Sequence, residues 1–171
     1  LDFRNVRNLI CLRLVNAAAN RESLGEIPHR LFHDLAVVYY VRLWGGSGRM
    51  TIPGRLLEQW GMEEGELYAL TLRNTRELLG LSVEPLSDAV SRITGMPTEK
   101  DGMPVDPAIP LYLAGAASGQ YGACAILYGD ILEDFSRSIG GDFYILPSSI
   151  HETLFLPAAP LPGDAESLRQ M

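Results

Sequence analysis

The stretch Gly122–Pro157, GACAILYGDILEDFSRSIGGDFYILPSSIHETLFLP, decides the fold class of this chain. It reads as strand, helix, strand, tight connection, strand. Ala123–Tyr128 is the first predicted strand and Asp130–Ile139 the helix. Asp130 and Glu133 have the acid-x-x-Glu spacing of a capping box, in which each side chain satisfies a free backbone N–H of the first turn. Ile131, Leu132, Phe135 and Ile139 share one face, so the helix is built to lie on an apolar surface. Gly140 and Gly141 follow where a left-handed residue ends a helix. Phe143–Leu146 and Thr153–Leu156 are apolar runs of strand length.

Immediately upstream, Leu111–Ala117 is predicted as a strand, joined to the module by a hairpin connection at Ser118–Tyr121. Residues 95–110 hold four prolines and two glycines, which is loop chemistry rather than helix or central strand. Before them come three predicted helices: Pro53 to Gly61, Glu63 to Leu79 with acids in its first turn, and Pro85 to Thr94. Asp34–Trp44 is β-branched and aromatic, apolar on both alternating faces, and fits a central strand covered on both sides. Residues 2–19 carry a partial 3.6-residue stripe and are predicted helical, with a polar connector at Asn20–Pro28. Helices clustered early and strands clustered late predict an α+β fold. One mostly antiparallel, mixed sheet of about five strands is expected to pack with helices in a single domain spanning residues 1–171. The chain opens at Leu1 and closes in the first turn of a helix at Asp164–Met171, so it is expected to be a fragment of a longer protein.

Composition narrows the function classes. Hydrophobic residues at 47% and charged residues at 20% are globular values, and no apolar run approaches the ~20 residues that span a bilayer. Net charge is −7, with one lysine and thirteen scattered arginines. Duplex binding relies on clustered cations that displace counterions, so neither nucleic acid nor an anionic membrane is the expected partner. Cys11 and Cys124 sit in apolar surroundings and are expected to be buried, reduced thiols of a cytoplasmic protein.

Four places could carry chemistry. His29 and His33 have the i, i+4 spacing of zinc ligands, with Asp34 or His151 as a conceivable third ligand. Two ligands without a defined third are not a metal site, and no metal or cofactor is assigned. Ser148, Ser149, His151 and Glu152 bring a hydroxyl, an imidazole and a carboxylate into five residues. Triads are usually assembled from distant parts of a chain, and no Gly-x-Ser-x-Gly elbow is present. The expected role of this segment is therefore a turn, with the serines bonding backbone and His151 pinning the connection. Asn74 lies where the stripe Leu67, Leu70, Leu78 calls for an apolar residue. A buried amide there is expected to bond the backbone of a neighbouring element, with ligand contact the alternative. The glycine-rich stretches match no phosphate-binding pattern.

Several blocks also carry a resemblance: Phe32–Tyr40, Leu56–Gly61, Leu67-Tyr68 with Arg73–Thr75, Gly122-Ala123 to Leu127-Tyr128, and Gly141–Glu152. Together they resemble the uncharacterised bacterial domain-of-unknown-function family numbered 5688, over nearly the whole chain. A more distant similarity is to the uncharacterised family numbered 1444. The resemblance implies a cytoplasmic-type α+β protein and supplies no catalytic residues. The expectation is thus a non-catalytic binding or interaction domain with a protein or peptide partner. Its alternative is a hydrolase or metal-dependent enzyme with a site around Ser148–Glu152 and His33-Asp34.

Overall fold

The computed structural model describes residues 1–95 and 110–158, and among them eight short strands form two antiparallel four-stranded sheets. The first sheet holds β1 (Ile10–Asn16), β2 (His29–Phe32), β3 (Leu35–Leu43) and β4 (Gly48–Thr51). β3 is its centre: β1 runs along one edge, while β2 and then β4 share the other. Ala36–Val41 is buried residue after residue, which is why that run lacks a polar alternation. The second sheet holds β5 (Leu81–Pro85), β6 (Tyr112–Ala116), β7 (Phe143–Pro147) and β8 (Thr153–Pro157), in the order β5-β6-β8-β7.

Six α-helical segments accompany these strands among the described residues: α1 (Phe3–Val6), α2 (Arg21–Leu24), α3 (Gly54–Trp60), α4 (Glu64–Leu79), α5 (Leu86–Thr94) and α6 (Gly129–Ile139). The α+β class stands, and three local expectations change. Residues 2–19 are not one helix: after α1 and a 3-10 turn the chain enters β1. Its apolar residues line both faces of a strand, and the partial helical stripe was a by-product of that. Ala123–Tyr128 is not a strand, since Gly122–Leu127 winds as a buried 3-10 helix. A short apolar run cannot by itself distinguish the two. Finally, β1, β2, β4 and β5 raise the strand count, and the expected single sheet is two, because β1–β4 pair only among themselves and β5–β8 likewise.

The Asp130–Glu133 cap is also replaced. Tyr128 occupies the N-cap of α6, and Asp130 instead pairs with Arg76 of α4 at 2.5 Å. The reciprocal carboxylate bond occurs at α4, where the Glu63 N–H donates to Glu66 at 3.0 Å. The predicted loop at 95–110 lies almost wholly outside the described residues, as does the predicted helix start at 164–171.

One apolar cluster draws on both sheets, from Ile10, Leu12 and Tyr39 to Ala114, Cys124 and Phe155. On the second sheet, Phe135 of α6 meets Tyr112, Phe143 and Phe155 with ring centroids 4.8–5.1 Å apart. Gly122 is required where it stands: a Cβ there would lie 2.3–2.6 Å from the backbone of Gly115 and Ala116 in β6. This contact seats the 3-10 helix beside β6 and sets the position of Tyr121, the residue before it.

Candidate functional site

The outer edge of β1 is treated differently at its two ends. At the start, α4 presents polar side chains to it. The Asn74 amide, 4% exposed, donates to the carbonyls of Arg7 (2.7 Å) and Ile10 (2.9 Å). The Leu12 N–H donates to Thr75 Oγ1 at 2.9 Å. Asn74 thus makes the backbone bonds expected of a buried amide on an apolar stripe. Thr75, which completes the cap, was missed because threonine on a helix face gives no signal without knowledge of the strand beside it. Tyr39, Arg30 and Glu64 brace the same packing. Glu64 accepts from Arg30 Nη2 at 2.7 Å and from the Tyr39 hydroxyl, while Arg30 also lies 4.3 Å from the Tyr68 ring centroid. Burial alone would raise the Glu64 carboxyl, but the bonds from Arg30 and Tyr39 hold it below the usual range.

At the far end of β1 a cleft of about 210 Å³ opens between the sheets. Leu14, Val15, Asn16 and Leu35 form one wall; Ala123 and the Pro147–Thr153 segment form the other. Thr153 is 1% exposed, and its Oγ1 has no hydrogen-bond partner among the described residues. The sequence offered no sign of this, since the apolar alternation of β8 makes Thr153 look like an ordinary strand threonine.

The serine–histidine–glutamate segment borders this cleft without forming a relay. Ser149 Oγ donates to Glu152 Oε1 at 2.6 Å and accepts from the His151 backbone N–H at 2.9 Å. Ser148 Oγ stands 3.4 Å from the same carboxylate oxygen. The His151 imidazole turns elsewhere: its Nδ1 accepts from the Tyr121 N–H at 3.2 Å and its ring stacks on Tyr121 at 5.5 Å. An accepting Nδ1 carries no proton, so the neutral ring holds its proton on Nε2.

Tyr121 is the junction of a second cluster. Its φ of +58° is uncommon outside glycine. Arg13 Nη1 donates to its hydroxyl at 2.9 Å, and the Arg13 and Arg49 guanidiniums each lie 5.1 Å from its ring centroid. Tyr40 packs beside it at 5.2 Å. Strand alternation places Arg13, Tyr40, Arg42 and Arg49 on one face of the first sheet. None of the three arginines was singled out in the sequence, because only the pairing of three strands brings them together with Tyr40.

The histidine pair does not share a helical face. His29 lies in β2, with Nδ1 3.0 Å from the Ile27 carbonyl, and His33-Asp34 is the two-residue turn between β2 and β3. His33 has φ +55°, a conformation that His and Asp tolerate better than bulkier residues do. Among the described residues no three His, Cys, Asp or Glu side chains gather where they could hold a metal ion. Cys11 and Cys124 are free and buried, and burial pushes the Cys124 thiol up to about 12. No helix of the described residues is long and apolar enough to cross a membrane.

A family model described as a family of unknown function, DUF5688, matches residues 1–171. The chain belongs to DUF5688. No curated protein and no solved structure matches. The expected similarity to the family numbered 1444 is not shown.

Proposed function

We propose that this DUF5688 chain is a single α+β domain that binds rather than catalyses, within a cytoplasmic bacterial protein. Its cleft takes one apolar side chain of a protein or peptide partner. The observation that carries this reading is the commitment of the His151 imidazole to the Tyr121 N–H. A serine nucleophile hands its proton to an imidazole, and Ser149 is bonded to Glu152 instead. The cleft supports binding by its size. An apolar cavity of about 150 Å³ holds a benzene ring, so 210 Å³ suits a single side chain. The Thr153 hydroxyl, buried without a partner among the described residues, supplies a hydrogen bond to the backbone of the entering segment. The charge of −7 favours a protein partner over nucleic acid or an anionic membrane.

The enzyme reading draws on one observation: Leu35, next to the His33-Asp34 turn, lines the same cleft as Ser148 and Ser149. Panning a random peptide library on the immobilised chain, together with an ester-hydrolysis assay, separates the two. Binding predicts enriched peptides with a shared apolar residue, whose affinity falls at least about tenfold in Ser148→Trp, where the rim is blocked. Ester turnover abolished by both Ser149→Ala and His151→Ala, with no peptide enriched, would sink the binding reading.

A further inference from the structure

We infer that Arg13, Arg49 and Tyr121 form a site for one oxyanion, a phosphate or a carboxylate group. The site is separate from the cleft, whose lining contains no arginine. Its first warrant is charge. Two guanidiniums share the ring of Tyr121 although the chain carries 21 acidic residues against 14 basic ones. Ion pairs among the described residues engage Arg4, Arg30, Arg76, Arg92 and Arg137, and none engages Arg13, Arg42 or Arg49. Arg42 and Arg49 even stand directly opposite each other in the β3–β4 ladder. Like charges so placed repel. Arg42 has an outlet, donating to the Leu78 carbonyl at 3.1 Å. Arg13 and Arg49 converge on one ring, which puts their charges within about a Debye length (~8–10 Å) of each other.

The second warrant is hydrogen bonding. Arg13 Nε is buried and lacks a partner among the described residues. A desolvated, charged N–H left unpaired is costly. The Tyr121 hydroxyl accepts from Arg13, and its own proton has no acceptor among the described residues. The cluster is therefore made of donors. Cation–π contact with Tyr121 accounts for part of the charge but consumes none of these N–H and O–H groups. An acceptor-only, negatively charged group answers both deficits at once, and arginine forks are shaped for such oxygens.

The backbone holds this arrangement in place. Tyr121 keeps its left-handed conformation because its N–H is bound by His151 and the next residue, Gly122, is pressed against β6. The platform is thus set before any ligand arrives.

The test is a titration of the isotopically labelled chain, followed through the arginine side-chain N–H signals. Sodium phosphate is added in one arm and sodium acetate in the other, with sodium chloride holding ionic strength constant. The Arg13 signal is identified by its absence in Arg13→Lys. The expected result is a saturating shift of that signal, with the dissociation constant raised about tenfold in Arg49→Gln, an exposed position where folding is not at risk. Saturation by phosphate at lower concentration assigns a phosphoryl ligand, and saturation by acetate at lower concentration assigns a carboxylate. Shifts that stay linear in both arms, or equal affinity in Arg49→Gln and wild type, overturn the site.

Discussion

The two ends of β1 differ in how their polar atoms are settled. Beside Ile10 and Leu12 every named donor and acceptor has a partner, supplied by Asn74 and Thr75 from α4. Beyond Leu12, the Arg13 Nε and, across the cleft, the Thr153 Oγ1 are buried without one among the described residues. Those two atoms are as hidden from water as the groups of the first end, so burial alone does not explain the contrast. The first end is a finished structural joint. The second keeps polar groups that folding alone does not satisfy, which is the condition expected of a surface that meets a ligand.

The sharpest way to break this contrast is at the finished end. Asn74→Leu removes donors from two carbonyls and is expected to cost about 2–4 kcal/mol, read from chemical denaturation. Thr75→Val keeps the shape and strands only the Leu12 N–H, for about 1–2 kcal/mol by the same measurement. If either substitution left stability unchanged, the joint would not be what holds β1 to α4.

A smaller effect should appear with pH. Because the Glu64 carboxyl is held below its ordinary range, the folded state binds its proton less readily than the unfolded chain does. The resulting stability is present above the unfolded value of about 4.3 and is lost as pH falls through the lower folded value. Glu64→Gln is expected to be less stable than wild type by about 1 kcal/mol at neutral pH. The gap closes as the solution is acidified, and a gap that widened instead would contradict the assignment.

At the unfinished end the sign reverses. Thr153→Val replaces a hydroxyl that has no partner among the described residues by a methyl group of similar size, so stability is expected to hold or rise by up to about 1 kcal/mol. The same substitution should weaken any peptide captured by the cleft. A clear loss of stability would show that Thr153 already has a partner, and the contrast between the two ends would fail.

Particular elements show how much of this was legible beforehand. The α6 stripe, the Phe143–Leu146 and Thr153–Leu156 runs, and the glycine stops at Gly61 and Gly140 emerged where their local chemistry placed them. Asn74 was readable as a buried amide because it interrupts an apolar stripe. Its acceptors in Arg7 and Ile10 were not readable, for they lie more than sixty residues away in a segment that resembled a helix. The serine–histidine–glutamate run was visible, but the direction of the His151 ring was not. That direction depends on Tyr121, thirty residues earlier.

From the sequence alone came the α+β class, the membership now supported over all 171 residues, and the acidic balance that argues against polyanion partners. These rest on short-range periodicity, turn residues and composition, all properties of neighbouring positions. Tertiary structure decided that β1 is a strand, that Gly122–Leu127 is a 3-10 helix, and that Arg13, Arg49 and Tyr121 meet. An apolar heptamer such as ICLRLVN can serve as helix or strand, and what selects strand is the ladder it forms with Leu35–Val41. Once that ladder exists, pleat alternation turns Arg13 to the face of Tyr40 and Arg49, a convergence encoded in no single stretch of the chain.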